Sequence, residues 1–232
     1  MNVSTSAERN DRWISQAWAV LSKDMLTEVR VAAASTAVGM FALVTLAVVS
    51  YAVGSTPLDT VLQSSLLWIV LFFSSSVGLS RTFVKEEETK TAIALRITAN
   101  PSAVFGGKLA FNCLLMFLLA GMLVPLYIIL MSVSIPSPFL FMVVLGVGLL
   151  GLAGGSTIIA AIISKVRVKG PLFGALTFPI LLPLLMLLVR TTTIAFEGGT
   201  WEQVSRDILG LLGFAGAMIT ASFLLFESVW ES

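Results

Sequence analysis

The sequence predicts an all-α integral membrane protein with six transmembrane helices, preceded by an amphipathic helix on the membrane surface. Apolar types make up 57% of the 232 residues and charged types only 12%, whereas soluble domains carry about 25% charged residues. Six apolar stretches lie between residues 31 and 226. Each is about 20 residues long, as a helix needs to cross a hydrocarbon core roughly 30 Å thick. The connections alternate between basic and nearly uncharged.

Residues 1–30 predict an N-terminal segment with an interfacial helix and no membrane span. Between Trp13 and Arg30, apolar residues recur at the spacing of one helical face, at Ile14, Ala17, Trp18, Leu21 and Met25. Charged residues interrupt the apolar run too often for it to cross a bilayer. Trp13 and Trp18 suit the headgroup zone, where an apolar ring with one N–H donor is well placed. We therefore expect an amphipathic helix lying in the interface.

Residues 31–232 predict one membrane domain of six helices. The spans are expected at 31–53, 60–79, 109–131, 139–163, 171–189 and 207–226. The longest polar connection, residues 80–108, separates the second span from the third. A short interfacial helix is expected around Trp201, ahead of a last span that has Asp207 at its start.

The basic residues predict the orientation of this domain. Of 14 Lys and Arg residues, 12 lie in the N-terminal segment, the loop 80–108 and the loop 165–169. Since these segments share one side of the membrane, the positive-inside rule makes that side cytoplasmic. Both termini are then cytoplasmic. A net charge of +1 gives no case for nucleic-acid binding, which needs a basic face.

The residue types predict neither a catalytic nor a metal site. The chain contains no histidine, the commonest metal ligand and a general base near neutral pH. The predicted spans have no ionisable residue in their apolar cores, which argues against an ion-coupled transporter. No phosphate-binding G-x-x-x-x-G-K-[ST] loop occurs, so the chain cannot use ATP alone.

The loop 80–108 is the segment that most suggests a protein partner. The candidate contact residues are Arg81, Lys85, Glu86, Glu87, Glu88, Thr89 and Lys90. The three glutamates would begin a helix running to about Ile97, where the helix dipole favours negative charge. Asn100-Pro101 would stop this helix. We expect an amphipathic cytoplasmic helix with an exposed acidic surface that docks on a partner, the alternative being a solvated loop.

Three glycines of the fourth predicted span indicate close helix packing: Gly148, Gly151 and Gly155. Gly151 and Gly155 form a G-x-x-x-G spacing, which lets two helix backbones approach each other. The packing could lie within one chain, at a subunit interface or along a conduit.

Three prolines of the fifth predicted span indicate a distorted helix: Pro171, Pro179 and Pro183. Each internal proline removes a hydrogen bond and bends the helix. The spacing of Pro179 and Pro183 puts both bends on one face. This distortion has no further role, or it forms a hinge in a moving subunit.

The order of these parts resembles the permease subunit of type-2 ABC exporters and, within that group, the cytochrome c maturation permeases, the haem exporter protein B family. The segments that carry the resemblance are residues 81–88, 95–108 and 146–161, with the run Phe178-Pro-Ile-Leu-Leu-Pro and the Lys-Gly-Pro at 169–171. There is one departure. The family's acidic run is usually followed by a glycine and an acidic residue, and this chain has Thr89-Lys90 there.

The resemblance implies a non-catalytic subunit of the bacterial inner membrane. It implies partners: a cytoplasmic ATPase that docks at the loop 80–108, a haem-handling membrane protein with a small membrane helper, a haem chaperone, and two permease copies per complex. ATP and haem would be bound by the partners, with no cofactor bound directly here. The alternatives are a type-2 permease for polysaccharide, lipid or drug export, and a membrane assembly scaffold that transports nothing.

Overall fold

A computed structural model describes residues 4–31, 33–54, 56, 58–83, 86, 95, 97–164 and 170–231. These residues form seven long helices: α1 Ser4–Val31, α2 Ala33–Val53, α3 Thr60–Leu79, α4 Pro101–Met131, α5 Pro138–Ser164, α6 Gly170–Phe196 and α7 Trp201–Glu231. Helices α2 to α7 each contain a stretch long and apolar enough to cross a membrane. The predicted all-α fold, with six spans after an N-terminal helix, is confirmed.

Helix α5 occupies the centre of the bundle. Two-thirds of its apolar window, 67%, is buried, against 11% for α2. Gly148 lies against Trp68 and Leu188, and a Cβ atom at Gly155 would lie 2.5 Å from Leu181. Gly151 similarly faces Leu184. The three predicted glycines of α5 therefore lie where this helix contacts α3 and α6 of the same chain, and small residues allow close contact there.

Helix α4 begins at Pro101, well before the predicted start at residue 109. The Asn100 side chain accepts a hydrogen bond from the Ser102 backbone N–H, at 3.1 Å, and so caps the first turn. Proline at the first helical position has no N–H to leave unbonded. Asn100-Pro101 therefore begins a helix, and Lys108, assigned from the sequence to the loop, lies within α4.

The predicted boundaries of the last two spans were also wrong. Helix α6 continues past residue 189 to Phe196, and α7 is one helix from Trp201, with no separate interfacial piece before Asp207. The residues read as a polar connection include Thr191, Thr192 and Thr193, which are buried in the bundle. Buried threonines bond within a membrane helix, so their polarity does not end it.

Helix α1 lies along α4 with its polar side inward. Trp18 is 66% exposed and Val29 79%, and both are on the outward apolar side, as in a helix that rests on a membrane. The two helices cross at Gly107, where a Cβ atom would lie 2.6 Å from the carbonyl oxygen of Ala17. This crossing places the charged residues of α1 against the beginning of α4.

Candidate functional site

Four charged side chains from three segments meet near the beginning of α4. They are Lys23 and Asp24 of α1, Glu86 of the α3–α4 connection, and Lys108 of α4, and we call them the charge cluster. Lys23 Nζ lies 2.8 Å from Glu86 Oε1 and 3.2 Å from Asp24 Oδ1. Lys108 Nζ lies 2.9 Å from Asp24 Oδ2 and also pairs with Glu86 Oε1. Each lysine thus contacts both carboxylates.

The charge cluster is buried on its α4 side and open on its α1 side. Lys108 and Glu86 are each 3% exposed, whereas 42% of the Lys23 side chain is exposed. A buried charge without a partner costs several kcal/mol. Two lysines and two carboxylates sum to zero, which makes the burial of all four tolerable.

The pKa shifts of Glu86 and Lys23, which lie outside the membrane spans, agree with this pairing. Burial alone would raise the pKa of Glu86, but the positive charges of Lys108 and Lys23 outweigh it and lower that pKa below its ordinary value. Burial alone would lower the pKa of Lys23, but its hydrogen bond to Glu86 and the two carboxylate charges raise it. Both shifts favour the ionised forms, so the ion pair persists at neutral pH.

A chain of hydrogen bonds leads from the charge cluster to the central helix. Lys108 Nζ donates to the Thr82 carbonyl oxygen at 2.9 Å, and the Thr82 hydroxyl donates to Asn112 Oδ1 at 3.0 Å. Asn112 Nδ2 then donates to the Thr157 hydroxyl of α5 at 2.8 Å. Asn112 was not predicted from the sequence. Its position four residues after Lys108, on the same helical face, was the indication available.

An aromatic layer covers the inner side of the charge cluster. Its members are Phe83, Phe105, Phe223, Phe226 and Trp230. The Lys108 ammonium lies 5.7 Å from the centroid of the Phe83 ring, close enough for a cation–π contact. Phe226 and Trp230 of α7 both pack against Phe83, so the end of α7 lies behind the ring that contacts Lys108. Excluding water strengthens the ion pairs, since charges attract more strongly at a lower dielectric constant.

Two further hydrogen bonds join α1 to the segment that precedes Lys108. The indole N–H of Trp13 donates to the Ser102 hydroxyl at 3.0 Å. The Asn100 backbone N–H donates to Gln16 Oε1 at 3.1 Å. Helix α1, the end of the α3–α4 connection and the start of α4 are therefore held together at several points.

The structure places Glu86 differently from the exposed acidic surface expected from the sequence. Glu86 is buried among Lys23 and Lys108, because these two cations compensate its charge inside the bundle. Arg81 is exposed. The other predicted contact residues, Lys85, Glu87, Glu88, Thr89 and Lys90, lie outside the described residues, as does most of the helix predicted up to Ile97.

The predicted hinge prolines belong to α6, which contributes no member to the charge cluster. Pro179 and Pro183 are inside α6, and both are exposed on the same outward face. Pro171 lies in the first turn of α6. The hinge role stays a prediction.

The opposite end of the bundle carries a second polar region, which we call the polar row. Side chains of α3 pair with the end of α6 and the residue after it: Trp68 with Thr192 at 2.9 Å, Ser64 with Thr193 at 2.5 Å, and Thr60 with Glu197 at 2.6 Å. Tyr127 of α4 also donates to the Gln63 carbonyl oxygen at 2.6 Å. These contacts join α3 to the end of α6, and α4 to α3, at the end of the bundle away from the charge cluster.

The described residues contain no group of three or more His, Cys, Asp and Glu side chains placed to hold a metal ion. The charge cluster can hold α1, the α3–α4 connection and α4 together by ion pairing. Its lysines have both carboxylates as partners, and its position beside a loop between two spans suits the transmission of movement.

A family model described as CcmB protein matches residues 15–229, which is nearly the whole chain and includes all of the charge cluster. No curated protein matches the chain. The chain therefore belongs to the CcmB family, and is a multi-pass inner-membrane, permease-type subunit of haem export in cytochrome c maturation.

Proposed function

We propose that this chain is the permease of an ABC complex in which a separate cytoplasmic ATPase drives release of a haem-loaded chaperone on the outer face. Membership of the CcmB family supports a haem-export complex with other subunits. The observation that carries the coupling part of the proposal is Glu86. This buried carboxylate belongs to the α3–α4 connection and pairs with α1 and α4 at once.

The cytoplasmic side is assigned by charge. The basic N-terminal segment and the α3–α4 connection meet at the charge cluster, so they lie at the same end of the bundle, as the positive-inside rule requires. Both termini are then cytoplasmic. An ATPase that docks at this end would push on the segment containing Glu86.

The charge cluster converts that push into a movement of helices. A displacement of Glu86 draws Lys23 and Lys108 with it, because separating buried charges costs more than moving them together. Helices α1 and α4 then shift as one body. The hydrogen bonds through Asn112 to Thr157 carry the shift to α5, whose glycine contacts leave little space for independent movement.

The ATPase contact is assigned to the rest of the acidic run. Glu86 serves the permease interior, so the surface for the partner consists of Arg81, Lys85 and the residues 87–90. Charge complementarity at such a surface sets the partner and the register more than the total affinity. Thr89-Lys90 alters this surface relative to the usual family pattern. The ATPase partner of this chain should therefore differ from the partners of other family members in the residues that face this surface.

The hinge proposal concerns α6. Pro179 and Pro183 weaken the helix on its outward side, where each removes a backbone hydrogen bond. We expect Pro179→Ala and Pro183→Ala to preserve assembly and to lower the chaperone released per ATP hydrolysed. Normal release in both variants would leave the prolines with a packing role only.

Haem and ATP are assigned to partner subunits. A chain without histidine lacks the axial ligand of globins and peroxidases, and the remaining candidates are its one cysteine, its methionines and its tyrosines. We expect the purified chain to hold no stoichiometric haem, and a persistent Soret absorption band in a clean preparation would contradict this.

A tagged pull-down in mild detergent, followed by mass spectrometry, tests the proposed function. Recovery of an ATPase with a haem-handling membrane protein and its small helper is the expected result. An ATPase without haem proteins would indicate an exporter of another cargo. Recovery of the haem proteins without an ATPase would indicate an assembly scaffold.

A further inference from the structure

Helices α2, α3 and α4 enclose an apolar cavity that lies apart from the charge cluster. Its volume is about 250 Å³, and its lining includes Val38 and Gly39 of α2, Gly78 of α3, and Leu118 and Met122 of α4. Among the residues that the structure describes, no charged side chain lines it. A polar or charged ligand would lose its hydrogen bonds to water there without replacement, at a high cost in free energy.

The two serines of the lining do not alter this chemistry. The Ser75 hydroxyl donates to the Phe72 carbonyl oxygen at 2.8 Å. The Ser35 backbone N–H donates to Glu28 Oε1 at 2.7 Å. The other nine lining residues are valine, leucine, methionine or glycine, so the cavity offers its occupant mainly van der Waals contact.

The cavity opens sideways, on the outer surface of the bundle. Leu118 is 63% exposed and Met122 41%, and both lie in the middle of α4, which is a candidate membrane span. The opening is therefore within the hydrocarbon layer. The molecules present there at high concentration are the acyl chains of membrane lipids.

Helix α2 is the part of the bundle that needs such an occupant. Among its described side chains, Ala42 and Leu46 are the buried apolar ones, and α2 lies against α3 and α4 with most of its surface outward. An empty cavity beside these contacts would leave the lining atoms without partners on one side and would forfeit their dispersion energy.

We propose that this cavity is a binding site for one acyl chain of a membrane phospholipid, which fills the space between α2 and the α3–α4 pair. The occupant enters from the bilayer through the opening beside Leu118 and Met122. The proposal is independent of haem export, because it rests on the lining, the volume and the position of the opening.

A photo-labelling experiment on the full chain tests the site. The chain is reconstituted in vesicles of phosphatidylethanolamine and phosphatidylglycerol with a trace of phosphatidylcholine that carries a diazirine at the end of one acyl chain. After illumination, labelled residues are mapped by peptide mass spectrometry. We expect labelling to concentrate on residues 38–39 and 115–122, above the level on other outward span surfaces.

Two matched glycine variants separate the cavity from general lipid contact. A Cβ atom at Gly39 has only Met122 Cε nearby, at 3.6 Å, so Gly39→Leu extends into free space inside the cavity. Gly121 has nothing within 4 Å and is exposed, so Gly121→Leu adds the same side chain outside it. We expect Gly39→Leu to reduce labelling of residues 115–122 several-fold and Gly121→Leu to leave it unchanged.

A third variant serves if Gly39→Leu fails to fold. Leu118→Trp enlarges an exposed side chain at the opening, cannot disturb the core, and should also reduce labelling inside the cavity. Equal labelling in all variants, or a cross-link to a second protein in place of lipid, would overturn the proposal. Displacement of the label by added haem would overturn it in favour of a haem site.

Discussion

The two polar ends of the bundle are built from different interactions. The charge cluster joins α1, the α3–α4 connection and α4 through buried ion pairs, whereas the polar row joins α3 to the α6 end mainly through hydroxyl and indole groups. Hydrogen bonds between membrane helices average about 0.6 kcal/mol, while removing one partner of a buried ion pair costs about 3–5 kcal/mol. The polar row fixes two helices by small independent contacts. The charge cluster makes three segments depend on one another.

The largest expected effect is that of Lys108→Met. The change leaves Glu86 buried beside one half-exposed cation, and the free energy of unfolding should fall by about 3–5 kcal/mol. Unfolding in mixed micelles, followed by circular dichroism, measures the loss. The double variant Lys108→Met with Glu86→Gln serves as the control and should lose clearly less, because it removes the unpaired charge as well. Losses that simply add would contradict mutual dependence.

The next largest loss of stability is expected from a substitution where α1 crosses α4. A Cβ atom in Gly107→Ala would meet the Ala17 carbonyl oxygen, a backbone atom that cannot turn away, whereas in Gly106→Ala it would meet the Trp13 ring at 3.0 Å. We expect Gly107→Ala to cost about 1–3 kcal/mol, as overpacking does, and Gly106→Ala less. Proteolysis of α1 in the intact protein should rise with the first change. Equal proteolysis in both variants would refute the crossing geometry.

Acid should weaken the charge cluster before the polar row. The pKa of Glu86 is below its ordinary value of 4.5, so its contribution is complete above that value and is lost as the pH falls through the lower folded value. The pKa of Lys23 is raised above 10.5, so its contribution is complete below 10.5 and is lost as the pH rises beyond it. Melting temperature between pH 3 and 7 should therefore fall more steeply in the wild type than in Glu86→Gln. Parallel profiles would show that Glu86 is not paired in solution.

The smallest effect is expected in the polar row. Ser64→Ala removes one hydroxyl, and the Thr193 hydroxyl still donates to the Val189 carbonyl oxygen at 2.9 Å. The loss should be about 0.6 kcal/mol, measured by the same unfolding assay. A loss as large as that of Lys108→Met would remove the contrast between the two ends.

The spans could be predicted where the polar residues that flank them also end the helix. Helix α3 runs from Thr60 to Leu79 as predicted, because Asp59 accepts a hydrogen bond from the Leu62 backbone N–H at 2.7 Å and caps its start. The polarity of Thr191, Thr192 and Thr193 led to a predicted end of α6 that is too early, since these residues are buried inside the helix bundle. A local pattern of polar residues does not reveal which of them find partners in another helix.

The candidate site was located in part. Its loop was identified from the acidic run, but the inward direction of Glu86 depends on Lys23, 63 positions away in sequence, and on Lys108, 22 positions away. Periodicity within one helix carries no information on such pairs. The Lys108–Asn112 spacing was visible, and an amide in an apolar run one turn after a lysine favours an inward polar face.

The central claim is that Glu86 transmits movement within the permease and does not contact the ATPase. The direct measurement is the amount of haem-loaded chaperone released per ATP hydrolysed by the assembled complex with Glu86→Gln, beside a Glu87→Gln, Glu88→Gln control. We predict that Glu86→Gln retains its ATPase on purification and releases several-fold less chaperone per ATP, while the control loses ATPase. Unchanged release with Glu86→Gln, or loss of ATPase equal to that of the control, would contradict the claim.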